Sequence, residues 1–423
     1  MDLLNARGTR DFLPKEKLIR NNIQETIVKV FELYGFSPFE TPLIERFDIL
    51  SSKYTGGEEI LKETFKFKDQ GKRELGIRYD LTVPLSRFIG MNQQMKMPAK
   101  LYQLGNVLRD GPVSQARYRQ FMQCDVDIIG AKSVLAETEL LSIASEAFDR
   151  LDIKVEIKFN NRKFLNEILH HCGVKKEQND TVILSIDKLE KFGEKEVEKE
   201  LKQKKIPEKT IKKVMETITV EGFNDEKVEK FKKILKNSEG LKEIEDLLKY
   251  LNILDIEVTF DPALARGLSY YTGTVFEVKA KQGSITSSIC AGGRYDNMIG
   301  SLLGRGDYPA TGISFGLDRI YDVILESEKP TKKVVTKVYI IPIKTVDISL
   351  KTLDILRKEG IPADIDLSER GPSKNLDYAN TLNIPYVIFI GKKEIENGKL
   401  TLRDMKSGKE ESLPIDQVVK KLK

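Results

Sequence analysis

A chain of 423 residues, 40% apolar and 32% charged, has room for about two or three domains. No apolar run reaches the ~18 residues that a bilayer span needs, and the polar opening Met1-Asp2-Leu3-Leu4-Asn5-Ala6-Arg7 does not suit a signal peptide, so no membrane partner is expected. The three cysteines lack paired spacing and the two histidines, His170 and His171, are adjacent; this argues against a disulfide framework, a zinc site and a Ser-His-Asp triad, and fits a reducing cytoplasm.

In chain order, Gly8-Thr9-Arg10-Asp11-Phe12-Leu13-Pro14 is a turn-rich opening. Ile19, Ile23, Ile27, Phe31 and Tyr34 recur at helical spacing and predict a helix over 15–34, ended by Gly35. Prolines in Phe36–Pro42 suit an edge or interface strand. Residues 53–71, with Thr55-Gly56-Gly57-Glu58, are expected to form a mobile loop leading into a hairpin. Its second strand ends at Asp80 and Thr82, just before a proline that can open a helix. Those two side chains suit helix capping, or binding of an ammonium group.

Lys100–Arg109 and Arg117–Ile129 predict two strands joined by a loop. Alternation puts Gln123, Asp125 and Asp127 on one face, and a row of carboxylates is expensive to bury unless it binds something. Arg109, Arg117 and Arg119 cluster about the loop, where guanidinium groups can grip phosphate bidentately. A helix over 137–151 and a strand over 154–160 follow. From Phe164 to about Leu251 the chain is dense in Lys and Glu at helical spacing, which predicts a helical insertion.

Strand-rich sequence resumes at Ile256. In Ala265–Glu277, Arg266 is followed by Gly267, so backbone can pass close, and Tyr270 and Tyr271 are expected on opposite faces of an extended segment before a strand at Thr274. Cys290–Asp296 reads as a glycine turn ending in Arg, Tyr and Asp. Pro309–Ile320 reads as a strand feeding a helix, with Arg319 on the first turn able to lie flat on a purine. A polar linker over 326–336 leads to alternating strands and helices that predict a mostly parallel sheet. Residues 332–423 hold 18 Lys/Arg against 13 Asp/Glu, equal to the whole-chain excess of +5, which hints at nucleic acid.

Taken together these stretches resemble the histidyl-tRNA synthetases, a family of class II aminoacyl-tRNA synthetases. Residues 36–42 resemble the class's motif 1, residues 109–127 motif 2 and residues 312–319 motif 3. Arg266-Gly267-Leu268-Ser269-Tyr270-Tyr271 and Gly292-Gly293-Arg294-Tyr295-Asp296 resemble blocks specific to the histidyl enzymes. Asp80, Asp127 and Gln123-Cys124-Asp125 look closer to archaeal and eukaryotic forms. Motif 2 commonly has an acidic residue two places after its arginine; here Asp110 follows Arg109 at once and Gly111 takes that place.

The resemblance implies an α+β fold: a catalytic core over 1–160 and 255–327 whose antiparallel sheet is flanked by helices, a helical insertion over 161–254, and a C-terminal α/β anticodon-binding domain over 335–423. It implies a histidine–tRNA ligase that forms histidyl-adenylate from ATP and loads tRNA-His, contacting its acceptor end and anticodon. Arg109 and Arg266 would be catalytic, gripping the α-phosphate from two sides, Arg266 where related enzymes place a metal. Asp80, Thr82 and Gln123 would hold the ammonium group of L-histidine, Asp127 and Tyr271 its imidazole nitrogens, and Tyr270 would wall the pocket. Arg117 and Arg319 would help bind ATP, with Mg2+ accompanying it; no protein-held metal is expected. A cytoplasmic homodimer joined through motif 1 is implied. The rivals are a non-catalytic paralogue serving ATP phosphoribosyltransferase as a regulatory subunit, and a non-catalytic RNA-binding protein.

Overall fold

A computed structural model describes residues 2–52, 61–114, 117–267, 270–327 and 334–423. The expected loop at Thr55-Gly56-Gly57-Glu58, Gln115-Ala116 of the motif 2 loop, Leu268-Ser269 and Pro330 of the linker lie outside the described residues. The chain divides into two compact units, one taking in residues 1–11 and 22–329, the other residues 12–21 and 330–423.

The first unit is built on residue-by-residue alternation of side chains along long strands, which gives one buried and one open face. Its strands are β1 (Ser37–Pro38), β2 (Ile44–Arg46), β3 (Lys66–Lys68), β4 (Glu74–Ile77), β5 (Ala99–Leu108), β6 (Gln120–Ile129), β7 (Val155–Asn161), β8 (Thr259–Phe260), β9 (Thr274–Ala280), β10 (Cys290–Arg294) and β11 (Ala310–Gly316). Eight of them form one sheet in the order β1-β5-β6-β11-β10-β9-β7-β8, antiparallel except at its two short edges. The proline-marked segment supplies edge strand β1, as its missing N–H groups require. Strands β2, β4 and β3 make a separate small antiparallel sheet.

One face of the large sheet is closed by aromatic packing. Phe315 of β11 lies 5.6 Å from Phe31 and 5.6 Å from Phe148, which come from the helices Pro14–Leu33 and Leu135–Arg150. Cys124, Val126 and Ile128 share this buried face. The other face carries Gln123, Asp125, Asp127 and Ser314 and opens into a cleft.

Cys290–Arg294 is a strand, not the turn its glycines suggested. Gly292 serves close approach instead: a Cβ there would lie 2.0 Å from the carbonyl oxygen of Gly312 on the next strand. Arg294 is buried and donates to Glu137 through Nε at 2.5 Å and Nη2 at 2.7 Å, and to the carbonyl of Ala131 and the carboxylate of Asp296. This pair staples β10 to the helix that covers the sheet.

The Lys/Glu-rich segment folds as helices between residues 162 and 253, beginning at Asn161, whose side chain accepts from the N–H groups of Lys163 and Phe164. Phe164, Phe231 and Phe260 form their edge-to-face centre, with centroids 4.8 Å and 5.3 Å apart. Gly240 lets two helices meet, since a Cβ there would fall 2.1 Å from the Phe164 nitrogen. His170 and His171 are exposed at a helix end.

The second unit contains β12 (Val338–Pro342), β13 (Ala363–Ile365), β14 (Tyr386–Ile390), β15 (Leu400–Asp404) and β16 (Glu410–Leu413) in the order β13-β12-β14-β15-β16. Val338 and Ile340 enter one core and Tyr339 and Ile341 another, so β12 is buried on both faces. The sheet is mixed rather than mostly parallel. Helices connect β12, β13 and β14 as parallel neighbours, whereas β15 and β16 return without long crossovers and pair antiparallel.

Breaking the Arg294–Glu137 pair leaves a buried charge without its partner. Arg294→Met should lower unfolding free energy by about 3–5 kcal/mol, and Arg294→Met with Glu137→Leu should recover part of it. Urea denaturation of the two variants tests this; equal stability of Arg294→Met and the parent would remove the staple.

Candidate active site

The cleft floor is a row of cross-strand partners: Asp127 on β6, Gly312 on β11, Gly293 on β10 and Val275 on β9. Gly312 makes the space. A Cβ there would sit 1.8 Å from Asp127 Oδ1, so any larger residue would displace the carboxylate. Over this floor lies a cavity of about 380 Å³ lined by Asp80, Thr82, Arg109, Gln123, Asp127, Arg266, Tyr270 and Tyr271 among others. The proposed amino-acid-binding residues, scattered from position 80 to 271, are thus brought to one place.

Asp80 ends the segment before the helix Thr82–Met91, and its Oδ1 accepts from the Val83 N–H at 3.1 Å. The capping role is therefore real, and the second oxygen is not needed for it. Burial holds the Asp80 carboxyl up at about 6. Asp127 is held at about 7, chiefly by burial, although the Tyr295 hydroxyl donates to its Oδ1 at 2.6 Å and favours the charged form. Asp125 is raised well above the usual range by burial and then by Asp127, and its Oδ1 has no hydrogen-bond partner among the described residues. Gln123 donates to Ser314 Oγ at 2.7 Å, and its side-chain oxygen has no partner among the described residues.

Tyr270 and Tyr271 do not diverge onto opposite faces. Their segment is a turn rather than an extended strand, so the rings lie 4.7 Å apart, share a hydrogen bond and both face the cavity.

A second cavity of about 280 Å³ adjoins the first and is lined by Arg109, Arg117, Tyr118, Phe121, Ser288 and Arg319, with others. Arg109 and Arg266 line both cavities. Arg109 donates to the Tyr79 carbonyl at 3.0 Å and lies 5.1 Å from the Phe121 ring centre. Arg266 donates to Glu277 Oε1 at 2.9 Å, and its Nε hydrogen has no partner among the described residues. Burial opposes its charge, but Tyr271, Glu277, Tyr270 and Asp187 more than offset that and raise its pKa. Glu277 Oε2 accepts from Ser288 Oγ at 2.7 Å, and the Ser288 carbonyl accepts from Arg319 Nη1 at 2.6 Å. Arg117 is engaged with Glu63 at 2.8 Å, and Arg119 with Asp110 at 3.1 Å. The Glu63 carboxylate crowds Gly111: a Cβ there would lie 2.7 Å from it.

Sequence reasoning assigned no role to Tyr295, Glu277 or Asp125. Glu277 carried a signal, a lone carboxylate between Phe276 and Val278 in a strand. Tyr295 stood in a block that resembles the histidyl enzymes, but its bond to Asp127 was not legible because that partner is far away in the chain.

Comparison with known proteins adds the following. A family model described as histidyl-tRNA synthetase matches residues 8–320, and one described as anticodon binding domain matches residues 337–423. The chain is 43% identical to a histidine–tRNA ligase of Bacillus cereus, over 99% of this chain and 97% of that protein. The crystal structure of a histidyl-tRNA synthetase from Nostoc superposes with a TM-score of 0.88 at 28% identity, covering 100% of this chain and 99% of that one. A Bacillus halodurans chain described as an ATP phosphoribosyltransferase regulatory subunit/histidyl-tRNA synthetase superposes at 0.76 with 20% identity, over 90% of this chain and 97% of that one, and shares the fold. These relatives are bacterial, so the expected leaning towards archaeal and eukaryotic forms finds no support in them.

A carboxyl whose pKa rises on folding stabilises the fold below its unfolded value and loses that contribution as pH rises through the folded value. For Asp127 the window runs from the usual carboxylate range, ~4, to about 7. Asp127→Asn should therefore gain stability over the parent across that window, reaching a few kcal/mol by pH 8 in ligand-free protein. Melting temperatures taken from pH 4 to 8 check this; a gap that does not grow with pH would show that Asp127 ionises freely.

Proposed function

The chain belongs to the histidyl-tRNA synthetase family, and from that premise we propose how its cleft works. It is an aminoacyl-tRNA ligase that couples histidine to tRNA at the expense of ATP. The observation that carries the residue assignment is that Arg109 and Arg266 line both cavities. The reaction joins two substrates at one phosphorus, so its charge-stabilising groups must stand where the two sites meet.

Histidine occupies the aspartate-lined cavity. Its ammonium group is held by Asp80, Thr82 and Gln123. Its imidazole offers one donor and one acceptor, taken up by Asp127 and Tyr271, while Tyr270 closes the wall. An apolar side chain there leaves buried polar groups unpaired, which makes discrimination steep. ATP occupies the arginine-lined cavity, with Arg319 on the adenine and Arg117 released from Glu63 to meet phosphate.

The histidine carboxylate oxygen attacks the α-phosphorus, the bond to the β-phosphate oxygen breaks, and pyrophosphate leaves. Arg109 and Arg266 stabilise the charge on the α-phosphate during this transfer. A terminal ribose hydroxyl of the tRNA then attacks the histidyl carbonyl, and AMP leaves. Mg2+ would enter with ATP, held chiefly by phosphate oxygens and water, and would screen phosphate charge. Among the described residues no group of three or more His, Cys, Asp or Glu stands ready to hold a metal.

The basic C-terminal unit reads the anticodon stem-loop of tRNA-His, and the helices over 161–254 approach the acceptor end; both assignments follow the family. Exposed Leu33, Leu43 and Ile44 beside the motif 1 strand support a homodimer joined there. Three free, buried cysteines fit a cytoplasmic location.

Histidine-dependent ATP–pyrophosphate exchange is the direct test. The parent should exchange with histidine and with no other amino acid. Arg266→Ala should cut the exchange rate by at least about a hundredfold while tRNA binding stays within a few-fold. Unaltered exchange in Arg266→Ala would end its assigned role, and no exchange in folded parent protein would favour the regulatory paralogue.

A further inference from the structure

Asp187 lines the aspartate-rich cavity, yet it comes from the helical segment between residues 162 and 253. It caps the C-terminal end of the helix Asn179–Ile186, whose Val182, Ile183 and Ile186 are buried. Polar contacts tie that helix and its end down: Arg162 pairs with Asp180 at 2.6 Å, and Glu200 accepts from Ser185 at 3.1 Å and, just past the helix, from Lys188 at 2.9 Å. The capping residue is therefore fixed by the helical segment's own packing.

Asp187 reaches the loop that carries Arg266. The Gly267 N–H donates to its carboxylate, and a Cβ at position 267 would fall 2.9 Å from Asp187 Oδ2. The glycine after Arg266 is thus what admits the carboxylate to the backbone. Four groups face Asp187: the Arg266 guanidinium, the Glu277 carboxylate from β9, the Gly267 N–H and the Lys188 ammonium. Arg266 is held in two ways, through its guanidinium by Glu277 and through the adjoining peptide by Asp187.

We propose that Asp187 is a positioning residue for Arg266, through which the helical segment sets the geometry of adenylate formation. This rests on the reading of Arg266 as the grip on the α-phosphate. Glu277 belongs to the sheet, so it fixes the guanidinium relative to the floor; Asp187 fixes the loop from the opposite structural origin. Loss of the second restraint lets the loop move by a fraction of an ångström, and misplacement on that scale is expensive in a transfer that depends on alignment. Crowding by the cleft walls also holds Asp187 up at about 6, against the pull of Arg266, so the restraint weakens as pH falls through that value.

The experiment compares the parent, Asp187→Ala and Asp187→Asn in histidine-dependent ATP–pyrophosphate exchange from pH 5 to 8. Asp187→Ala should lose about tenfold or more in kcat, with KM for histidine moving by less than about threefold. Asp187→Asn should fall between; because Asp80 titrates in the same range in both proteins, the sign of Asp187 is the parent-to-Asn ratio of kcat, which should fall towards one as pH drops through about 6. Unchanged kcat in Asp187→Ala, or a parent-to-Asn ratio constant with pH, would overturn the proposal. A readout independent of turnover is the Arg266 Nε–Hε resonance, assigned with Arg266→Lys. It should shift in Asp187→Ala, and an unmoved resonance would overturn the proposal too. Absence of exchange in the parent would overturn the reading of the cleft instead, while the resonance still decides the positioning.

Discussion

Like groups are forced together on both sides of the cleft, guanidinium groups on one and carboxyls whose charge burial disfavours on the other, and the structure depends on how they are held. Arg109, Arg266 and Arg319 converge at one end; Asp80, Asp125 and Asp127 converge at the other. Two unit charges ~8 Å apart at an effective dielectric of ~20 repel by roughly 2 kcal/mol. Arg319 shows the strain, its pKa lowered first by burial and then by Arg109 and Arg266. The arrangement stands because each guanidinium is tied to protein oxygen. Arg109 uses the Tyr79 carbonyl, Arg266 uses Glu277, and Arg319 uses the carbonyl of Ser288, whose hydroxyl is bonded to the same Glu277. Glu277 thus bonds Arg266 directly and reaches Arg319 only by way of Ser288; a neutral residue there would remove the carboxylate partner of Arg266 and leave the bond from Arg319 to the Ser288 carbonyl in place.

The sheet makes this crowding geometrically possible. Antiparallel neighbours bring residues from four strands into one row, and glycine at positions 292 and 312 removes the side chains that would fill the space. The opposite face is packed with Phe31, Phe148 and Phe315, which keeps the floor from yielding. Polar atoms without partners among the described residues, Arg266 Nε, Asp125 Oδ1 and the Gln123 side-chain oxygen, point to a site organised for a ligand rather than for its own stability.

Much of this was legible in local pattern. Alternation along β6 correctly set Gln123, Asp125 and Asp127 on one face, because a strand's period is a property of the backbone. The Arg266-Gly267 pair was legible as a place of close approach, though not what approaches it; Asp187 lies about eighty residues away in sequence and is brought there only by tertiary packing. Gly292 and Gly293 were misread as a turn because glycine serves both bending and close packing, and only the neighbouring strand distinguishes the two. The antiparallel half of the C-terminal sheet was missed for a related reason. A β–α alternation signals parallel pairing, but β15 and β16 follow β14 with little intervening helix, and short connections favour antiparallel return.

The polarity of the cleft also bears on the order of the chemistry. Free histidine is a zwitterion, and in the proposed arrangement a site with aspartates at one end and guanidinium groups at the other would bind it in one direction, ammonium to Asp80 and carboxylate towards Arg109 and Arg266. That direction points the nucleophilic oxygen at the second cavity, where the α-phosphate must lie. Once the acyl–phosphate bond forms, the carboxylate charge is gone and the same guanidinium groups act on the phosphate alone. Their interaction would therefore strengthen with the charge that the transition state develops, whereas the hold of Asp80 on the ammonium group would stay unchanged throughout. A cleft that separates its two charges in space can in this way bind the substrate with one set of groups and accelerate its activation with the other.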